Sequence, residues 1–288
     1  MRERDLLVVG NLARDIIFGK ELYGGSAATI AVNFARLGGK PAIFSVLGRD
    51  HFSAEYKQFL ISEGVNVSLI QKTINELPVC EVVSDVNSNL SYNWTDNGCH
   101  QAMEELPLSG KLLSKFRLVH LVSCPPRLAQ KIAGLNLSLS YEPGPMIGVD
   151  GQYFDPTIVA ASNFIFLNEE EYAEALKISG FSKPDDFRLG KLPKVLVITK
   201  GRKGSEIYSF QDKDSIHIAS GSIYADKVVD PTGAGDSYKA GFFAAYLLGK
   251  SLSECARWGS LMGAACVSQI GGIISVRSVI PDDIIISR

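Results

Sequence analysis

The sequence lacks most of the features that place a chain quickly. Its five cysteines (Cys80, Cys99, Cys124, Cys255, Cys266) are scattered, odd in number and form no Cys-x-x-Cys pair. That pattern fits a reduced intracellular chain with small buried thiols. The four histidines show no metal-ligand spacing, and His120 lies inside an apolar strand as a core or wall residue would. Charge of neither sign accumulates. Lys and Arg number 29 against 31 Asp and Glu, a formal net charge of −2. There is no basic field for nucleic acid and no acidic tail. Long hydrophobic runs are missing too: Ala240 to Leu248 has the length of a core helix, not of a membrane span. Leu6 to Val9 is too short for a signal-peptide core and has no cleavage site after it. A cytoplasmic protein is expected, with neither nucleic acid nor membrane as partner. Repeats, low-complexity tracts and linkers are absent. No Gly-x-x-x-x-Gly-Lys-[Ser/Thr] loop occurs, and Tyr238 stands where a dinucleotide fingerprint starting at Gly233 needs its third glycine. Gly24-Gly25-Ser26-Ala27-Ala28 lacks the last glycine of a nucleophile elbow.

What remains is an alternation of strands and helices over 288 residues, 46% of them hydrophobic. Leu6–Val9, Ala42–Leu47, Leu118–Val122, Leu137–Tyr141, Phe164–Leu167 and Val195–Ile198 read as continuous apolar strands of a parallel sheet. Helical segments fall between them, and Ser205 to Val229 reads as short antiparallel edge strands. Pro78 to Trp94 differs: its partial alternation around Asn87-Ser88-Asn89 predicts a hairpin, a candidate lid. The last third is read as helical, with a short tail after Pro281. The expected fold is one α/β domain spanning 1–288, a three-layer α/β/α sandwich with a mostly parallel sheet. Its ligands belong at the carboxyl ends of the strands.

The stretch from Asp230 to Phe242 organises the chain. Asp230-Pro231-Thr232-Gly233 is a turn, and a long apolar helix follows. The small residues Gly233, Ala234 and Gly235 stand where that helix begins. There they let an anion approach backbone N–H groups that have no partner inside the helix. Asp236 is a poor companion for a resting phosphate but a sensible acceptor of a proton from an attacking hydroxyl. The bland reading is an ordinary capped helix with an acid in its first turn.

The whole string Asp230-Pro231-Thr232-Gly233-Ala234-Gly235-Asp236-Ser237-Tyr238-Lys239-Ala240-Gly241-Phe242 resembles the signature of the PfkB (ribokinase-like) carbohydrate and nucleoside kinases. The resemblance implies Asp236 as catalytic base and the amides of Gly233, Ala234 and Gly235 as anion hole. Gly24 to Gly38 resembles the family's first pattern, except that Thr29 takes the place of an Asn. This implies a substrate end built from Asn11, Asp15, Gly24, Gly25 and Thr29, with Asn33 one turn on as a compensating amide. Carboxylates suit vicinal hydroxyls because both oxygens accept. Asn168-Glu169-Glu170-Glu171 resembles the family's Asn-x-x-Glu element, implying that Asn168 and Glu171 organise Mg²⁺ through water around ATP. Alone it would read as a helix start with acids in the first turn. Thr199-Lys200-Gly201-Arg202-Lys203-Gly204 resembles the nucleotide element, implying contacts from Thr199, Lys200, Gly201 and Gly204. Asp230 and Thr232 match positions that hold a monovalent cation such as K⁺ in many relatives. Gly259 to Gly272 should border the adenine, with Met262 and Gly263 as wall residues.

Within the family, Tyr23 to Ala28, Ser140 to Gly144 and Asp236 to Tyr246 look most like archaeal-type, broad-specificity nucleoside kinases. The function implied is ATP-dependent phosphorylation of a nucleoside 5′-hydroxyl, in a homodimer. A sugar kinase of the ribokinase or phosphofructokinase type and a non-catalytic nucleotide- or sugar-sensing protein are the alternatives. Tyr92 and Trp94 on the Pro78 hairpin could stack on a base or only pack the hairpin down. Arg14 and Arg49 are the only nearby candidates for holding a second phosphate. Between Asp15 and Gly24 the family places two lid strands, and only residues 16–23 stand there. Either the lid reduces to the hairpin at 78–95, or a flexible segment is missing from the sequence. A reduced lid would exclude water poorly.

Overall fold

The computed structural model describes residues 4–84, 90–145, 147, 154–190, 194–211, 214–220 and 228–274, with backbone only at Arg4, Ser84, Leu90, Gln211 and 214–220. The expected turn at Asn87-Ser88-Asn89, residues 221–227 and the tail after Pro281 lie outside them. Thirteen strands form two sheets. They are β1 (Arg4–Gly10), β2 (Ala13–Ile17), β3 (Lys20–Gly24), β4 (Pro41–Leu47), β5 (Asn66–Lys72), β6 (Val79–Ser84), β7 (Leu90–Thr95), β8 (Phe116–Val122), β9 (Leu139–Glu142), β10 (Phe164–Asn168), β11 (Lys194–Thr199), β12 (Ser205–Gln211) and β13 (Asp214–Ser220). Helices α1 (Ser26–Arg36), α2 (His51–Ser62), α3 (Gly110–Leu113), α4 (Pro126–Ala133), α5 (Pro156–Ala161), α6 (Glu169–Ser179), α7 (Ala234–Leu247) and α8 (Leu252–Val267) connect them.

The large sheet runs β13-β12-β11-β10-β9-β8-β1-β4-β5. From β11 to β5 every pairing is parallel, while β12 and β13 add antiparallel at one edge. Its central strands are the continuous apolar runs. Leu6, Leu7, Val8 and Val9 of β1 and Leu118, Val119 and Leu121 of β8 are all buried. Strands read this way only when helices cover both faces. The result is the expected three-layer α/β/α sandwich, and no helix among the described residues is long and apolar enough to cross a membrane.

The second sheet corrects the sequence reading of the lid. Residues 13–24 are neither a remnant nor the edges of a missing segment: they form both β2 and β3, joined at Phe18-Gly19. Both turn residues have positive φ, 50° and 74°, the backbone of a two-residue hairpin turn. β2 then pairs in parallel with β6, giving a four-stranded lid in the order β3-β2-β6-β7. Leu22, Asp15, Cys80 and Trp94 lie opposite one another across this lid, as do Lys20, Ile17, Val82 and Tyr92. Opposed residues share a face, so Asp15, Tyr92 and Trp94 stand on the same side.

Candidate active site

The carboxyl ends of neighbouring strands supply one half of the site. Glu142 ends β9, Asn168 ends β10 and Thr199 ends β11, with Asn168 and Thr199 in register. Helix α7 starts over this edge. Its N-cap Gly233 is left-handed, with no side-chain cap on the first amides. A Cβ on Gly233 would sit 2.3 Å from the Gly272 Cα, whereas one on Gly235 would meet nothing within 4 Å. The Ala234 amide donates to the Pro231 carbonyl at 3.2 Å, and a helix start with open space before its next amides, as at Gly235, can receive an oxyanion. That space is the mouth of a cleft of about 270 Å³. Thr199, Gly201, Arg202, Gly204, Gly235 and Gly263 are among the residues that line it.

Four expected residues have local partners that the sequence reading did not foresee. Lys200 is tied to Glu206, Nζ to Oε1 2.6 Å, and Arg202 rather than Lys200 lines the cleft. Met262 is fully buried, against Gly241, while Gly263 is the wall residue. Asn168 and Glu171 form a reciprocal capping box: Asn168 Oδ1 accepts from the Glu171 amide at 2.8 Å, and Glu171 Oε2 from the Asn168 amide at 2.9 Å. The ordinary helix-start reading is therefore true of their local structure. One Glu171 oxygen is left over, and burial together with the Glu142 charge pushes its carboxyl up to about 7.

The other half of the site comes from the lid and α1. Asp15 is not in a loop after β1 but within β2, buried, with the Gly24 backbone against its carboxylate. A Cβ on Gly24 would overlap Asp15 Oδ2 at 1.9 Å. Gly25 has φ 86°, and a Cβ there would strike the Asn11 carbonyl and the Ala13 amide. Asn11 Oδ1 is buried without a partner among the described residues. Burial, then the charges of Asp236 and Asp230, raise Asp15 to about 7. The lid carboxylate thus feels both carboxylates of the α7 turn. The same holds for Tyr92, whose phenol is raised by burial and by Asp230 and Asp15.

Asn33 is not a substrate residue. It is fully buried, and both ends of its amide are used. Nδ2 donates to Ser237 Oγ at 2.8 Å and to the Gly272 carbonyl at 3.0 Å, and Oδ1 accepts from the Ile274 amide at 3.0 Å. Its position on α1 turns it toward α7, away from the acceptor. Thr29, also buried, packs on Gly233 and Gly272. Asp230 is fully buried and accepts from the Thr232 and Gly271 amides at 2.9 and 2.8 Å. Thr232 Oγ1 is buried and turned to the Tyr92 phenol, which it holds down against the rise from burial.

Between the halves stands Asp236, its side chain 15% exposed. Lys239, one turn along α7, reaches its Oδ1 at 2.9 Å and also bonds to Glu142. Burial raises the Asp236 carboxyl, Lys239 opposes that rise, and Glu142 adds to it. Glu142 and Lys239 are site residues that sequence reasoning missed. Two signals were present: Glu142 ends a strand like its neighbours, and the i,i+3 spacing puts Lys239 on the Asp236 face of the helix. His120, read as core, is fully buried with Nδ1 3.0 Å from Ser140 Oγ and Nε2 3.7 Å from Glu142.

The pattern of the pfkB family carbohydrate kinases matches residues 18–278. The chain belongs to the PfkB family. It is accordingly a kinase that transfers phosphate to an alcohol. Its relatives include a nucleoside kinase of Methanocaldococcus jannaschii, 33% identical over 90% of this chain and 82% of that protein. A second nucleoside kinase, from Methanothermobacter thermautotrophicus, is 30% identical over 97% and 93%. The crystal structure of the M. jannaschii nucleoside kinase, an archaeal member of the ribokinase family, superposes with a TM-score of 0.81 over 97% of this chain and 96% of that one, at 27% identity. The resemblance to archaeal nucleoside kinases drawn from the motifs is therefore shown across nearly the whole length.

Proposed function

We propose that this PfkB protein is a Mg·ATP-dependent nucleoside kinase that phosphorylates the ribose 5′-hydroxyl. The observation that carries the reading is the place of Asp236. It lies at the start of α7, with the open cleft at Gly235 on one side and Asp15 close enough on the other for the two charges to act on each other. ATP enters along Thr199, Gly201, Arg202 and Gly204, and its terminal phosphate meets the helix start at Gly233, Ala234 and Gly235, where the Ala234 amide would have to exchange the Pro231 carbonyl for it. Asp15 and the Gly25 backbone hold the ribose diol, and Asn11 Oδ1 offers a further acceptor. Asp236 orients the 5′-hydroxyl and takes its proton late, as the alcohol becomes acidic in the transition state. The helix-start amides take up charge developing on the phosphoryl group. The nucleoside kinases among the relatives support the choice of acceptor.

The residues present fit the ions that such a reaction uses. Mg²⁺ keeps several waters and takes few direct protein ligands. The second oxygen of Glu171, with Asn168 beside it, would anchor those waters. Mg²⁺ would there neutralise phosphate charge. Asp230 and the Thr232 hydroxyl would be the groups to hold a monovalent cation such as K⁺. Arg14, one candidate for a second substrate phosphate, is paired with Glu21 and lies over Phe52, which weighs against a phosphofructokinase. The protein would work in the cytoplasm as a homodimer, with Phe18 and Val83 giving the lid apolar surface for the second copy.

An ADP-release assay over nucleosides, ribose and fructose phosphates tests the reading. Turnover with guanosine, inosine, adenosine or cytidine is expected. Turnover confined to sugars would make it a sugar kinase, and saturable binding without turnover a sensor. Asp236→Asn keeps the shape and removes the base, and should slow transfer by ~10²–10⁴ with little change in ATP binding. Near-normal turnover in that variant would sink the assignment.

A further inference from the structure

Lys239 is an unusual residue to find inside α7. Its side chain is 4% exposed, and a buried ammonium is costly unless fully paired. It is paired twice. One contact is Asp236 Oδ1 at 2.9 Å, and the other is the Glu142 carboxylate. Glu142 stands at the end of β9, with Nε2 of buried His120 on β8 3.7 Å away and the other ring nitrogen of His120 held by Ser140. A line of polar groups, Ser140, His120, Glu142, Lys239 and Asp236, therefore runs from the two central strands to the first turn of α7, bonded at each step except the 3.7 Å approach of His120 to Glu142. No family pattern read from the sequence gave any of the middle three a role.

We infer that Lys239, steered by Glu142, is a positioning residue for the base: it fixes Asp236 Oδ1 and so orients the carboxylate for the acceptor hydroxyl. The inference rests on the kinase reading above. Asp236 alone would be poorly suited to its work. It faces Asp15 from the lid, Glu142 from β9 and Glu171 from α6, all acidic, with Cys266 of α8 close by. Among the described residues, Lys239, the Ser26 hydroxyl at the start of α1 and buried His120 stand against them. Burial pulls Lys239 down, but Asp236 and Glu142 more than offset this and hold it above its ordinary range. The ammonium keeps its proton throughout. In the transfer step the new O–P bond forms as the bond to departing ADP breaks. The hydroxyl proton passes to Asp236, and Lys239 only orients and balances charge.

The two partners of Lys239 make the test specific. Removing the cation and removing the second anion should move Asp236 in opposite directions, which a packing role would not do. The measurement is the single-turnover rate of phosphoryl transfer against pH, at saturating Mg·ATP and nucleoside so that the ribose covers Asp15. In Lys239→Met the rate should fall about tenfold or more, and its acidic limb should move up by about one pH unit. The nucleoside KM should change little. In Glu142→Gln the limb should move down, and Lys239→Arg should restore the wild-type limb. A Lys239→Met limb that stays in place, or a Glu142→Gln limb that fails to fall, overturns the inference. If Lys239→Met does not fold, Glu142→Gln decides alone, since its downward shift needs the charge relation and not the fold. Absence of nucleoside turnover in the wild type sinks the nucleoside reading instead, and the limb shifts are then read with the acceptor that does turn over.

Discussion

Gly233 and Gly235 stand two residues apart and are glycines for different reasons. Gly233 must be left-handed, φ 74°, with Gly272 pressed against it. Gly233→Ala should cost about 1–2 kcal/mol from backbone conformation alone, and more from the clash. Gly235 is helical with nothing near the place of its Cβ, so Gly235→Ala should leave the melting temperature unchanged or slightly higher. It should still lower kcat by on the order of 10²-fold, because the methyl occupies the space of the transferring phosphate. Thermal melts and turnover on the two variants separate the roles, and a fully active Gly235→Ala would remove the anion site from Gly235. Asp15 carries a different cost. Its native carboxyl is raised to about 7 from 3.8, so between those values the folded state holds a proton that the unfolded state has lost. Stability therefore falls as pH rises through this window, and the loss is complete above about pH 7. Asp15→Asn should raise the ligand-free melting temperature at pH 8 by roughly 2–4 °C and by less at pH 5.5. An equal gain at both pH values would show that Asp15 is not strained by its charge. A ground state that repels its own carboxylate is ready to receive the hydroxyls that would relieve it.

At the scale of elements, α1 has two jobs, and the sequence displays only one of them. Its glycine-led start reads as a substrate element, and Gly25 does lie beside Asp15. Asn33, one turn beyond Thr29, instead clips α1 to α7 and to residues 272–274. Asn33→Ala leaves the Ile274 amide and Ser237 hydroxyl short of a partner and should destabilise by about 1–3 kcal/mol. Denaturant unfolding with nucleoside kinetics checks this: a raised nucleoside KM at unchanged stability would return Asn33 to the acceptor site. The parallel strands were legible because burial on both faces writes itself as unbroken apolar runs. β5 was not, since on the sheet edge only Ile70 of its seven residues is buried. The β2–β3 hairpin was hidden for another reason. Its strands mix Arg14, Asp15, Lys20 and Glu21 with apolar residues, and its turn puts Phe18 rather than Asn or Gly in a left-handed position. The site was legible wherever a backbone feature demanded a glycine or a helix-start acid. Glu142 and Lys239 escaped because their meaning lies in a contact between residues 97 positions apart.

Across the whole molecule, the reacting groups are divided between two bodies of structure. The carboxyl edge of the large sheet and α7 carry the proposed base and the cleft proposed for ATP, while the lid sheet carries Asp15, Tyr92 and Trp94 on one face. Asp236 therefore meets a bound acceptor only when the lid lies against the main body, as it does where Gly271 approaches Leu22. A carboxylate beside a phosphate site must also be kept from activating water, and excluding water is what a closing sheet contributes. Four paired strands can do this where a lone hairpin could not. The wild-type protein should accordingly hydrolyse ATP far more slowly without acceptor than it transfers phosphate with one. Replacing both Tyr92 and Trp94 by Ala should raise the nucleoside KM by about 3–10-fold, the value of one or two aromatic contacts. It should also raise the ratio of ATP hydrolysis to transfer, with ATP affinity unchanged because both residues lie outside the nucleotide cleft. Parallel assays of nucleoside monophosphate and free phosphate give both quantities from one reaction. If the ratio stays at the wild-type value while the KM rises, the aromatics bind the base without sealing the site. If neither moves, they serve only to pack the lid.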